Sequence, residues 1–383
     1  VTTTGPLPGD TPRQGGPLPS RRLRRGLRLT ELGFGAAQLG NLYRETSDAD
    51  AAGAVDAAWD AGVRYFDTAP HYGLGLSERR LGPVLAGRPR AEFTVSTKVG
   101  RLLVPSQGTA RRTDDGGFAV PADQRRVWDF SRDGVLRSLE GSLERLGLDR
   151  VDIVYLHDPD DHGEQAATSG VDTLVELREQ GVVGAIGAGM NQSAMLAELV
   201  ERCDLDLVML AGRYTLLDQR ARADLLPLAE ERGVGVVAAG VYNSGLLSRD
   251  RPAPDATYDY RPAPAALVAR AHALADRCER HGATLPTAAV AHPLRHPAVV
   301  SVVLGARDAR QSAANADRYR ARPPEELWAD LARDGLVPDV PGTRGTSGAP
   351  DVPRVSGAPR AAAERATENG SASRTRNPRG PLA

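Results

Sequence analysis

The chain repeats one pattern: a short run of β-branched or other apolar residues, a turn, and then a segment whose apolar positions fall at helical spacing. Eight such runs stand out: ELGFGAA (31–37), VRYFDTA (63–69), FTVSTK (93–98), VDIVYLH (151–157), VVGAIGAG (182–189), LDLVML (205–210), GVGVVAA (233–239) and VVSVVLG (299–305). Strands that alternate with helices are joined by right-handed crossovers, which make neighbouring strands parallel. Eight such units favour an α/β fold closed into a (β/α)8 TIM barrel over an open doubly wound sheet. The helices support the reading. Leu136, Leu139, Leu143 and Leu146 lie on one helical stripe, Ser47 with Asp50 resembles a capping box with Asp in place of Glu, and Gly62, Gly147, Gly181 and Gly233 fall where helices end.

Both ends differ from this pattern. Residues 1–26 and 338–383 are rich in Pro, Gly, Ser, Thr, Arg and Ala and poor in large apolar side chains, so two disordered tails flanking one barrel over 27–337 are expected. The cluster Arg21, Arg22, Arg24 and Arg25 is read as part of a solvated tail, since no nucleic-acid-binding fold follows it. A formal charge of −1 gives no basic excess for nucleic acid or an anionic membrane surface. No apolar run approaches the length of a membrane span, and the two cysteines, Cys203 and Cys278, make neither a disulfide scaffold nor a thiolate zinc site. A small-molecule substrate and a cytoplasmic setting follow as expectations; the oligomeric state is not legible.

In a barrel of this kind, side chains at the carboxyl ends of the strands converge on one mouth. Asp67 ends the second strand, Tyr72 lies in the turn that follows, Lys98 ends the third strand and His157 the fourth. Taken singly, each has a bland explanation: a turn cap, a loop-packing tyrosine, a structural ion pair, a satisfied core histidine. Their joint placement is harder to explain that way. A phenol, with a reference pKa of about 10, needs tuning before it moves protons near neutrality. A neighbouring ammonium favours the phenolate, a carboxylate holds the ammonium, and an imidazole N–H orients a substrate oxygen. Such a device transfers a proton and supplies no nucleophile, so a hydride-carrying cofactor is implied. LGARDARQSAAN (304–315) runs from the last strand into a helix N-terminus suited to phosphate, and YNSGLLS (242–248) offers a small-residue loop after the seventh strand. Two glycine runs, GAIGAGMNQ and GFGAAQ, fail the dinucleotide fingerprint at Gln192 and Gln38.

These residues resemble the aldo-keto reductase superfamily, (α/β)8 barrels that use NAD(P). The resemblance runs from about residue 30 to 320 and rests on FDTAPHYG, STKVGR, YLHDPD and GARDARQSAAN. It implies Asp67, Tyr72, Lys98 and His157 as the catalytic tetrad, with Tyr72 the general acid/base. It further implies Asn191 on the nicotinamide carboxamide, Gly245, Leu246 and Gly305 along the cofactor, and Arg307, Asp308, Gln311 and Asn315 at its adenosine end. Met190, Ala211 and Ala239 stand where the family often has Ser, Gln and Tyr around the nicotinamide. With DTAPHYGLGLSERRLG and STKVGRLL, these variants resemble the branch holding L-fucose dehydrogenase, D-threo-aldose 1-dehydrogenase and pyridoxal 4-dehydrogenase. An aldose, aldehyde or alcohol is then the substrate. NAD is expected over NADP, because Asp308 would repel a 2′-phosphate.

His71, in the turn after the second strand, and Trp128 are the expected substrate-lining residues; specificity loops are expected over about 101–130, containing Trp128, and 241–264, containing Tyr258 and Tyr260. Three other chemistries compete: a metal-dependent barrel hydrolase built on HDPDDH (157–162), a cofactor-binding redox sensor, and a Lys98 Schiff-base aldolase.

Overall fold

A computed structural model describes residues 16–259 and 261–338. All eight expected strands form: β1 Leu32–Gly35, β2 Tyr65–Asp67, β3 Thr94–Val99, β4 Ile153–His157, β5 Ala185–Met190, β6 Leu207–Ala211, β7 Gly235–Ala239 and β8 Val299–Gly305. Each is parallel to its neighbours, and β8 pairs with β1 to close the barrel. The helices α1 Asp48–Asp60, α2 Leu76–Ala86, α3 Arg132–Leu146, α4 Val171–Glu179, α5 Ser193–Arg202 and α6 Leu225–Arg232 follow the first six strands. Two helices, α7 Ala265–Arg280 and α8 Leu285–Ala291, separate β7 from β8, and α9 Ala309–Arg320 and α10 Glu325–Arg333 complete the chain. Among the described residues no helix is long and apolar enough to cross a membrane.

Local chemistry sets the ends of these elements. The Ser47 hydroxyl caps α1 by accepting from Asp50 N at 3.0 Å, and itself donates to the Asp50 carboxylate at 2.7 Å, a variant of the expected box. On α3, Leu139 and Leu146 are buried, while Leu136 and Leu143 pack against the core from its edge.

Alternation along each strand decides what the barrel holds inside. Phe66 faces the helices, whereas Tyr65, Tyr155, Leu207, Met209, Val237 and Val303 form the interior cluster. Two large phenol rings fit because glycines face them. A Cβ at Gly33 would sit 2.7 Å from the Tyr65 ring, and one at Gly187 would sit 3.0 Å from the Tyr155 ring and 2.1 Å from Leu207 O.

The N-terminal boundary at residue 26 needs correction. Ser20–Arg22 pairs antiparallel with Arg28–Thr30, and Leu23 and Leu29 belong to the interior cluster, with Leu23 against Gly235 on β7. Each fully buried leucine contributes about 1.5–3 kcal/mol. The arginines are structural as well: Arg21 binds Glu31 at 2.8 Å, while Arg24 and Arg25 bind Asp204 and Asp206. Partners some 180 residues away offset their charge. The rest of the expected tails, 1–15 and 339–383, lies outside the described residues.

The loop expected over 101–130 contains an antiparallel hairpin, Arg101–Pro105 with Gln124–Trp128. The second expected specificity loop folds down instead. Tyr258 is buried and its hydroxyl donates to Asp218 at 3.1 Å, in a separate cluster with Leu216, Leu274 and Trp328. Tyr260 lies outside the described residues.

Candidate active site

Asp67 and His157 end β2 and β4, Lys98 is the next-to-last residue of β3, and all three share the inward face one pleat above Tyr65, Ser96 and Tyr155. Tyr72 arrives by a different route. Its turn is pressed backbone to backbone on the preceding 36–40 turn: a Cβ on Gly40 would lie 2.6 Å from Tyr72 C, and one on Gly73 would lie 2.2 Å from Gly40 O. Thr68 and Ser77 hydroxyls join at 2.8 Å, and Ser77 donates to Ala36 O at 2.7 Å, fixing the start of α2 under the turn.

The four residues meet at the mouth. Lys98 Nζ donates to Asp67 Oδ2 at 2.6 Å and to Thr68 O at 2.9 Å, and it lies 4.8 Å from the centre of the Tyr72 ring. The Tyr72 and His157 rings are 5.9 Å apart and nearly perpendicular. His71 packs edge-on to His157 at 5.4 Å and to Phe118 at 5.3 Å, so it lines the same space.

The electrostatics refine the expectation about tuning. Burial opposes the Lys98 charge, but Asp67 and Tyr72 more than offset it, and the ammonium is held above its ordinary value. For Tyr72, burial pushes the phenol up and Lys98 pulls it down without cancelling the rise, so the net direction is upward. The phenol is therefore neutral near pH 7, with Lys98 limiting how far it rises. His71 and His157 are held well below the usual imidazole value, by burial first and then by Arg101, Lys98 and Arg126.

Two arginine–aspartate pairs that the sequence did not reveal complete the mouth. Arg101 binds Asp158, the residue after His157, and its guanidinium lies 5.2 Å from the Trp128 ring. Arg126 forks onto both oxygens of Asp114 at 2.6 and 2.8 Å and donates to His71 O at 2.9 Å. Trp128 itself is 42% exposed on the hairpin beside this pair. The signal that would have exposed these pairs is register: Arg101 and Asp158 are 57 residues apart and meet only because β3 and β4 are neighbours.

The expected cofactor residues lie at or after the ends of β5, β7 and β8. Asn191 follows β5 with its carbonyl held by Arg213 at 3.1 Å, and Gly305 ends β8. Gly245 has φ +96° in the turn after β7, while Leu246 turns its side chain into the lower cluster and offers only its backbone. Asp308 caps α9 by accepting from Gln311 N at 2.8 Å; the Gln311 side chain donates back to Asp308 and accepts from Arg307 N. Asn315 binds Gly305 O at 3.2 Å and accepts from the Tyr242 hydroxyl at 3.2 Å. Arg307 departs from its expected role, because its guanidinium is committed to Leu42 O, Arg44 O and the Thr46 hydroxyl, bracing the loop before α1. Two buried amide oxygens here, Gln38 Oε1 and Asn243 Oδ1, have no hydrogen-bond partner among the described residues. Such acceptors suit a ligand that brings hydroxyl and amide donors, so the residues present fit a nicotinamide dinucleotide.

The HDPDDH run does not gather around one point. His157 faces the mouth, His162 lies against Phe130 at 5.8 Å and Asp160 meets Gln192. Among the described residues no three His, Cys, Asp or Glu side chains cluster as a metal site requires.

Comparison with known proteins agrees with this geometry. The sequence is 48% identical over 316 residues to D-threo-aldose 1-dehydrogenase from Pseudomonas sp, covering 82% of this chain and 96% of the relative. It is 39% identical over 331 residues to pyridoxal 4-dehydrogenase from Microbacterium luteolum, with the same coverage of 82% and 96%. Among solved structures it resembles the holo form of aldo-keto reductase AKR11C1 from Bacillus halodurans, with a TM-score of 0.65 at 26% identity over 84% of this chain and 96% of that one. The Aldo/keto reductase family profile matches residues 31–333, the span that builds the barrel and its mouth. The chain therefore belongs to the aldo/keto reductase family, oxidoreductases that use nicotinamide cofactors to interconvert CH–OH and carbonyl groups.

Proposed function

We propose that this chain is an NAD-preferring aldose 1-dehydrogenase, oxidising the anomeric hydroxyl of a neutral sugar to the lactone, with Tyr72 as the group that takes the proton. The convergence of Tyr72, Lys98, Asp67 and His157 within one buried mouth carries the proposal. In it, the His157 N–H orients the substrate oxygen, the Tyr72 phenol exchanges its proton, and Lys98, anchored by Asp67, lowers the cost of forming phenolate. A bound nicotinamide would supply the hydride acceptor for C1. Asn191, Gly245, the Leu246 backbone, Gly305, Gln311 and Asn315 would hold it, and Asp308, at the head of α9, would disfavour a 2′-phosphate and thus NADP.

Charge balance supports a neutral substrate. Lys98, Arg101 and Arg126 are each matched by one carboxylate: Asp67, Asp158 and Asp114. Beside His157, the Arg101–Asp158 pair offers a donor and an acceptor together, a pattern that suits adjacent sugar hydroxyls, and Trp128 offers an apolar face for the ring C–H groups. The 48% identical relative supports the same reading. The 39% identical relative favours pyridoxal as a second reading, since pyridoxal also forms a cyclic hemiacetal.

The test is formation of reduced cofactor from NAD+ with a panel of aldoses including L-fucose, together with pyridoxal, comparing wild type with Tyr72→Phe. Turnover of aldoses that falls by orders of magnitude in the variant is expected. Turnover confined to pyridoxal would select the second reading, and full activity in Tyr72→Phe would remove the proton-transfer role.

A further inference from the structure

Below the four mouth residues runs a file of buried hydroxyls that the proposed chemistry does not use. Ser96 Oγ donates to Asp67 Oδ1 at 2.7 Å, the Tyr65 hydroxyl lies 3.2 Å from Ser96 Oγ, and the Tyr155 hydroxyl lies 3.0 Å from that of Tyr65. All three residues are fully buried. The direction of the file follows from proton counting. Asp67, ion-paired to Lys98, only accepts, so the single Ser96 proton goes to it. Ser96 must then accept from Tyr65, and Tyr65, its proton spent, must accept from Tyr155. Three O–H dipoles therefore point the same way, Tyr155 to Tyr65 to Ser96 to Asp67, ending on a buried carboxylate.

We propose that Ser96, Tyr65 and Tyr155 are positioning residues that hold Asp67 ionised and oriented, and through it keep the Lys98 ammonium charged beside Tyr72. The inference rests on Tyr72 being the proton-transfer group. The fold makes specific room for the file: Gly33 and Gly187 are the positions whose lack of a Cβ admits the Tyr65 and Tyr155 rings. Besides the file, the groups around the Asp67–Lys98 pair are Tyr72, His71, His157, Arg101, Arg126 and Asp158; the inward positions beside the tyrosines are apolar, with Met209, Val237 and Val303 in their cluster. Among the described residues no other hydroxyl donates to Asp67. Without Ser96 the carboxylate draws the Lys98 proton toward itself, the positive field at the phenol weakens, and phenolate forms at higher pH.

The test is the pH profile of the oxidation rate in three variants, with folding followed by thermal denaturation. Ser96→Ala is expected to move the limb assigned to Tyr72 upward by about one unit, a tenfold loss at a fixed pH below it. The pair Tyr65→Phe with Tyr155→Phe removes the two outer hydroxyls of the file together, leaves no orphaned donor, and is expected to move the limb the same way by roughly half a unit. This pair decides the question should Ser96→Ala fail to fold. Folded variants whose limb coincides with wild type, or whose rates drop equally at every pH, overturn the proposal. Tyr72→Phe is the control: a limb that survives in it refutes the role of Tyr72 instead.

Discussion

The tuning role of Lys98 can be measured by removing its charge, provided the removal leaves no orphan. Lys98→Met alone strands Asp67, whose carboxylate sits 2.6 Å from the lost ammonium in a buried site. Breaking such a pair by one partner typically costs about 3–5 kcal/mol, so a loss of activity would be confounded by a loss of fold. The double variant Lys98→Met with Asp67→Asn removes both charges together and is the informative one. With Nζ 4.8 Å from the Tyr72 ring centre, and an effective dielectric of about 20, the ammonium stabilises a phenolate by roughly 3.5 kcal/mol. That corresponds to about 2.5 pKa units. Asp67 acts in the opposite direction on the phenol and is removed too, so the net rise is smaller, on the order of 1–2 units. Oxidation needs phenolate, which is present above the pKa and lost below it, so a rise suppresses the reaction at every pH beneath the limb. The expected result is a 10- to 100-fold drop in the oxidation rate at a fixed pH below the limb, about tenfold per unit, with the limb displaced to higher pH. Absorbance of the reduced cofactor across a pH series gives the limb, and circular dichroism checks the fold. A folded double variant whose limb overlays that of wild type would refute the electrostatic argument.

Replacing His157 by Gln keeps an N–H donor while removing any titration; because the imidazole is already held neutral, the rate is expected to fall roughly tenfold or less while the pH limb stays in place. A lost limb would mean that the imidazolium takes part in proton transfer. Asp308→Ser removes the carboxylate that caps α9 while keeping a capping hydroxyl, so the NAD to NADP ratio of kcat/KM is expected to fall by about tenfold; an unchanged ratio places the discrimination elsewhere. Leu23→Ala empties a site in the interior cluster closed by the N-terminal hairpin, and urea denaturation should show a loss of about 2–4 kcal/mol. A loss below 0.5 kcal/mol would mean that residues 16–26 do not close the barrel.

What was legible in the sequence has a physical common factor. The strands are short runs rich in apolar and β-branched residues because a parallel barrel buries both faces, and all eight were visible for that reason. Asp67, Lys98 and His157 were visible because polar residues at the ends of such runs stand out, and Tyr72 because it follows one of them within a glycine-bounded turn. What was hidden depended on partners distant along the chain. Arg24 and Arg25 read as a solvated cluster until Asp204 and Asp206 came to meet them. Tyr65 and Tyr155 read as ordinary strand residues until register put their hydroxyls 3.0 Å apart. The hairpin over 101–105 and 124–128 was masked by its arginines, which break the alternation expected of a strand. The sign of the Tyr72 shift was hidden for another reason: Lys98 was evident in the sequence, but the depth of burial that opposes it was not.

These observations fit together in one division of labour. A mouth with three cations would ordinarily attract anions, yet each cation here is tied to its own carboxylate, so little field remains to draw in an anionic substrate. The same cations act at short range on the two histidines, adding to burial and keeping both imidazoles neutral. A neutral imidazole donates a hydrogen bond without giving up its proton, which accords with the proposed function, in which the phenol exchanges the proton with substrate. Burial alone would make that phenol too weak an acid to use. Lys98 restrains the rise, Asp67 binds Lys98, and the hydroxyl file from Tyr155 to Ser96 meets Asp67 from beneath. Under the proposed function the barrel thus supports its proton-transfer group through a column of contacts running from its apolar interior to its mouth, and the alternation of β2, β3 and β4 puts every member of that column except Tyr72 on the inward face.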